Sequence, residues 1–158
     1  MKFSNIINVS LIYATFRAST PIIYAALCAA ITQQANILNV GTEGIMLMGA
    51  FMAVAISYTT GSWMLGVLAA MLSGMFMAWI IAIGHIRYKA DNCAIGMGVN
   101  LLAVALTKYL LNAILGQQGS FSDPKIIGIP KVHIPFLKNI PVLNDIFNDW
   151  SITEWFVI

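Results

Sequence analysis

Apolar residues run along this chain in long blocks, and polar positions gather at a few breaks between them. Blocks of this kind are what a helix needs to cross a bilayer: about 20 mainly apolar residues at roughly 1.5 Å rise each. The clearest is Trp63–Ile86, WMLGVLAAMLSGMFMAWIIAIGHI, which has no Asp, Glu, Lys or Arg. His85 near its end reads as a neutral side chain at the interface. Ala94–Leu115 predicts a second span, whose single charge, Lys108, lies near enough to the end to snorkel. Ala35–Tyr58 predicts a third, with an unusual first half, ANILNVGTEG. Upstream, Ile6–Ile31 carries Arg17 and Pro21 and reads as one kinked span, with an interfacial helix followed by a short insertion as the alternative. Beyond Gly116 the pattern changes. Prolines at 124, 130, 135 and 141, three of them after Ile, favour extended backbone over helix.

Composition agrees with the blocks. Of 158 residues, 59% are apolar and 9% charged, and mean hydropathy is +0.84. Soluble domains run at roughly 45–50% and 25%. So few charges leave the surface of a water-soluble domain uncovered, and disordered chains are poor in apolar residues. A membrane protein is the class that remains. Between Ala18 and Ile86 the one formal charge is Glu43, whereas Asp123, Lys125, Lys131, Lys138, Asp145, Asp149 and Glu154 follow Gly116. A net charge of +2, thinly spread, gives no reason to expect nucleic acid as a partner. Cys28 and Cys93 stand apart, with no CxxC and no ligand His near, and read as small buried hydrophobes.

Basic residues in short loops set orientation. Arg87 and Lys89 separate the two clearest spans, while Thr59–Ser62 has neither Lys nor Arg. Arg87–Asp91 is therefore expected in the cytoplasm and the Gln117–Trp150 segment outside. If Ile6–Ile31 crosses once, the N-terminus is outside too. The N-terminal stretch imitates a signal peptide but has no A-x-A-like cleavage site, so it is expected to be retained.

Two patterns inside the spans carry more than hydrophobicity. Gly66, Ala70, Gly74, Ala78 and Ala82 recur every four residues, a small-residue stripe that lets another helix approach closely. It predicts a packing face. The sharper pattern is Asn39-Val40-Gly41-Thr42-Glu43-Gly44, polar groups and glycines set in an apolar stretch. An acid at the centre of a membrane helix costs about 2.5–3.5 kcal/mol on insertion scales, so Glu43 is expected to face protein or a water-filled cavity. Broken helices beside polar groups are how many transporters build sites near the midplane. The other reading puts Glu43 at an interface, solvated, with the span starting at Gly44. Asn100, amid Leu and Val, needs a hydrogen-bond partner across the bundle or on a ligand, and interhelical glue is the commoner role. Asn92 reads as a helix N-cap.

Other chemistries find no support. Gly44 and Gly49 match the glycine spacing of a P-loop, but Ala50-Phe51 follow where Lys and Ser/Thr are needed. His85 and His133 are isolated, and no metal-ligand cluster or hydrolase triad is spelled out. No catalytic constellation means no expectation of an enzyme.

Three stretches taken together, ANILNVGTEGIMLMGAFMA, RYKADNCAIGMGVNLLAVALTKYL and GIPKVHIPFLKNIPVLNDIF, resemble the inner-membrane permeases of ABC importers for nucleosides and simple sugars. That group includes branched-chain amino acid permeases. The resemblance runs from about Arg17 to Phe147 and is most specific in N-x-G-x-E-G-x-M-L-M-G-A. It implies a multi-pass protein of the cell inner membrane, working with a second permease subunit, two cytoplasmic ATPase subunits and an external substrate-binding lipoprotein. ATP would then be used by a partner, and this chain needs no cofactor. Asn39, Gly41, Glu43 and Gly44 match the first motif, which the family places in the permease core near the translocation path. Asp91 and Asn100 match the second. Family members continue into a second half carrying the segment that meets the ATPase, whereas 151–158 reads as the start of a truncated span. The expected architecture is an all-α polytopic transmembrane bundle of about four spans plus the start of another. Residues 1–116 would form the bundle and 117–150 an extracytoplasmic loop. The alternative is a truncated, non-transporting membrane interaction protein.

Overall fold

The computed structural model describes residues 9–116, 128–132 and 150–151. Among them are four long helices: α1 Val9–Gln34, α2 Thr42–Thr60, α3 Trp63–Ile86 and α4 Asn92–Leu115. Each is long and apolar enough to cross a membrane. Two short segments, β1 Lys131–Val132 and β2 Trp150–Ser151, pair antiparallel, Lys131 opposite Ser151 and Val132 opposite Trp150. The predicted all-α bundle is what forms, and α3 has the bounds its uninterrupted apolar run suggests. Most of the predicted 117–150 loop, and 152–158 of the predicted final span, lie outside the described residues.

By contacts the chain divides into two units, one of Cys28–Gly128 and one of Met1–Leu27 with Ile129–Ile158. In the first unit, α2 lies against both α3 and α4. Residue positions fix their directions. A Cβ on Gly66 would meet Ala53 and one on Gly74 would meet Ile45, so α3 runs antiparallel to α2. Gly44 bonds to Asn100, and the Thr107 hydroxyl points at Met48 Sδ (3.8 Å), so α4 runs parallel to α2. The core between them is Met48, Phe51 and Ala55 of α2, Met77 and Ile81 of α3, and Val99 and Ala103 of α4. Three- and four-residue spacings put each set on one helix face. Met77 and Ala103 are fully buried. Large apolar side chains elsewhere, such as Met75, Trp79 and Leu101, point outward, as lipid-facing or partner-facing helix surfaces do.

Helix ends follow from local chemistry. Gly61 and Gly116 take the left-handed conformation after α2 and α4, and their N–H groups return to Ser57 and Asn112 carbonyls (2.9 and 3.1 Å). Asp91 rather than Asn92 caps α4: its carboxylate accepts from the Ala94 N–H at 3.2 Å. An acceptor is needed one residue before the helix, and Asn92 is already inside it, its buried Oδ1 without a partner among the described residues.

In α1 the helix is continuous through Pro21. Thr15, Ser19 and Thr20 hydroxyls each donate to the carbonyl four residues back, at 2.8–3.0 Å. Hydroxyls satisfied inside their own helix are cheaper to expose to lipid. Cys28 is exposed on α1 and Cys93 half-buried on α4, so the expectation that both are buried does not hold.

Candidate functional site

The segment between α1 and α2 is where the observed fold departs most from the sequence pattern. The apolar run predicts a span from Ala35, yet α2 starts at Thr42. Asn36 takes a left-handed conformation (φ 61°). Its N–H donates to the Gln33 carbonyl at 3.0 Å, and the Ile37 N–H donates to the Thr32 carbonyl at 3.1 Å. This pair of bonds closes a helix with Asn in the place glycine usually takes. The chain then runs without helix to Gly41. The Asn39 side-chain oxygen accepts from the Gly41 N–H (3.2 Å), and the Thr42 hydroxyl donates to the Asn39 carbonyl (2.8 Å). These are the local bonds with which Asn and Thr compete against helix.

Asn100 completes the junction from α4. Its Oδ1 accepts from the Gly44 N–H at 2.8 Å, and its Nδ2 donates to the Val40 carbonyl at 3.0 Å. One half-buried amide thus serves a carbonyl just before α2 and an N–H in its first turn. Each would otherwise be an orphan of the helix start or of the loop. Packing is equally tight. A Cβ on Gly41 would fall 2.6 Å from Ile81 Cδ1, and one on Gly44 would fall 2.9 Å from Asn100 Cα. A Cβ on Gly96 would fall 2.9 Å from the Gly41 nitrogen. Backbone therefore lies on backbone where the Gly41 and Gly96 turns meet.

The position of this junction along the bundle matters. α4 begins at Asn92, beside the charged Arg87–Asp91 turn, and Gly44 lies level with Asn100. At about 1.5 Å per residue the start of α2 is on the order of 10 Å below that charged end. Non-helical backbone inside a membrane bundle is tolerated only where its polar groups are satisfied by protein or line a wet cavity. Glu43 stands in the first turn of α2, where the helix dipole favours a carboxylate. Its side chain is exposed and makes no ion pair or hydrogen bond among the described residues.

The structure thus brings together Asn39, Gly41, Gly44 and Asn100, with Glu43 pointing away from their contacts. Sequence reasoning missed Val40, whose carbonyl matters and not its side chain, and Gly96. Gly96 lies one turn before Asn100 on the same face of α4, a spacing that marks a close approach beside a bonding amide. Among the small residues of α3, Gly66 is buried against Ala53 and Ser57, while Ala70 and Gly74 are half-buried facing Gly49 and Ile45. Ala78 and Ala82 are exposed. A step of four residues overshoots the 3.6-residue turn, so the stripe winds off the contact face, which continues instead through Met77 and Ile81. No group of metal-binding side chains forms among the described residues.

The profile of a family described as the branched-chain amino acid transport system permease component matches residues 11–143. The guanosine ABC transporter permease protein NupQ of Bacillus subtilis is 32% identical, over 91% of this chain and 45% of that protein. The nucleoside ABC transporter permease protein NupC of Lactococcus lactis is 35% identical, over 82% of this chain and 42% of that protein. A Haloferax volcanii protein provisionally named a glucose ABC transporter permease is 27% identical, over 94% of this chain and 44% of its own length. The chain spans less than half the length of these relatives. No solved structure matches it. With a profile match from residue 11 to 143 and four helices able to cross a membrane, the chain belongs to the branched-chain amino acid transport system permease family, as a multi-pass membrane protein.

Proposed function

We propose that this chain is part of the permease subunit of an ABC importer and lines part of the path by which a nucleoside or simple sugar enters the cell. The observation that carries the reading is Glu43, an exposed carboxylate in the first turn of a helix that begins well inside the bundle. A carboxylate facing hydrocarbon at that depth costs several times the thermal energy, so its outward face belongs against a polar partner or water. A carboxylate accepts hydrogen bonds from sugar hydroxyls, which nucleosides and simple sugars share. Relatives named for guanosine, nucleosides and glucose fit that chemistry. In this reading a second permease subunit closes the path, two cytoplasmic ATPase subunits use the ATP, and an external lipoprotein delivers the solute. The chain itself would need no cofactor.

The test is uptake of labelled nucleosides and simple sugars by the assembled importer carrying Glu43→Ala. Uptake should fall at least tenfold while the amount of protein in the membrane stays near that of the unaltered chain. Full uptake at equal abundance would remove Glu43 from the path. A panel in which neither solute class is taken up by the unaltered importer would reject the substrate assignment.

A further inference from the structure

We infer that Asn100 is a positioning residue for Glu43: its amide fixes the junction at which loop becomes helix, and so sets where the carboxylate points, without itself meeting the solute. This rests on the reading of Glu43 as a path residue. The argument is one of valence and geometry. An amide has a donor and an acceptor a little over 2 Å apart in one plane. Here both are spent on backbone, Nδ2 on the Val40 carbonyl and Oδ1 on the Gly44 N–H, on either side of the residue at which α2 begins. Glu43 lies between those two bonded groups. The backbone there has little room to move elsewhere, because Gly41 abuts Ile81 and Gly96, and Gly44 abuts Asn100 itself. Asn100 is therefore engaged with main chain on both its functional atoms, whereas the Glu43 side chain is exposed and makes no ion pair or hydrogen bond among the described residues. Support and contact are divided between two residues.

The experiment is a double-mutant cycle in the assembled importer with Glu43→Gln and Asn100→Leu, each corrected for membrane abundance, together with hydrogen exchange of the 38–46 segment in detergent. Asn100→Asp, which keeps the acceptor for Gly44 and loses the donor for Val40, serves as the conservative variant. If Asn100 acts through Glu43, Asn100→Leu lowers uptake on the order of tenfold, as loss of one well-made hydrogen bond does. The double variant then transports no worse than Glu43→Gln alone, since coupled residues do not add. Exchange at Gly44 should also quicken on the order of tenfold in Asn100→Leu, with Asn100→Asp close to the unaltered chain at that amide. Losses that multiply in the double variant, or unchanged Gly44 exchange in Asn100→Leu, overturn the inference. Normal uptake by Glu43→Gln is a different failure, that of the path reading itself, and shows in that single variant before the cycle is closed.

Discussion

Gly96 and Gly98 sit on the same helix, two residues apart, and the structure separates them sharply. A methyl at 96 meets the Gly41 nitrogen and the Val40 Cβ at 2.9 Å, and a methyl at 98 meets nothing within 4 Å. The obstacles at 96 include main chain, which cannot rotate away. Gly96→Ala should therefore destabilise the chain by about 1–3 kcal/mol, the usual range for overpacking. Gly98→Ala should be neutral or stabilising by a few tenths up to ~1 kcal/mol, because alanine has the better helix propensity. Thermal unfolding in detergent checks the pair, and equal midpoints for the two variants would show that α4 does not touch the Gly41 junction. From sequence alone the two glycines are alike. What distinguishes them is the Val40–Gly41 backbone of a distant segment, and no periodicity in GMGVN reports it.

Among the elements, α3 was the most legible, since an uncharged run bounded by Ser62 and Arg87 admits one reading. α2 was the least. Its predicted first half is apolar enough to continue a span, and hydropathy does not register that Asn36 closes the preceding helix or that Asn39 turns onto Gly41. The first is a pair of backbone bonds around a left-handed Asn36 and the second a bond from backbone to the Asn39 side chain, each decided by a few atoms. Asp91, capping α4 in place of Asn92, is the same lesson at one residue's displacement. On α3 the four-residue spacing predicts a slowly winding packing stripe; among the described residues the contact advances by turns of 3.6 and leaves Ala78 and Ala82 exposed. Gly66→Leu should thus disrupt the α2–α3 contact, since even a Cβ there lies 2.8 Å from the Ala53 carbonyl oxygen. A loss of about 1–3 kcal/mol or more is expected. Ala82→Leu, on the outward side, should change stability by under about 0.5 kcal/mol. Comparable losses for both would restore the unbroken stripe as the packing face. Of the candidate site, residue types and segment were legible as polar groups in apolar surroundings. Which main-chain groups the Asn100 amide meets was not, because they belong to a segment 56 to 60 residues away in sequence.

For the whole molecule, helix directions and loop charges together decide which way the bundle faces. The antiparallel α2–α3 pair and the parallel α2–α4 pair fix one end of the three-helix unit relative to the other: the Arg87–Asp91 turn and the start of α2 share an end, and the Gly61–Ser62 turn lies at the opposite one. Arg87 and Lys89 are exposed at the first of these. Basic residues in short loops remain in the cytoplasm, whereas the Gly61–Ser62 turn has none to retain it. On the proposed function, the junction beneath the Arg87–Asp91 turn would then lie in the cytoplasmic half of the path, the side on which a carried solute leaves. In a background with Cys28→Ala and Cys93→Ala, a cysteine placed by Lys89→Cys should react with a membrane-impermeant maleimide only after the membrane is opened. One placed by Ser62→Cys should react in intact cells. Replacing both Arg87 and Lys89 with Gln should weaken that orientation and yield a mixed population, as loss of the charge bias does. Labelling of Lys89→Cys in intact cells would invert the bundle. It would place the Asn100–Glu43 junction on the side that receives solute, so that Glu43→Ala would act at loading and not at release.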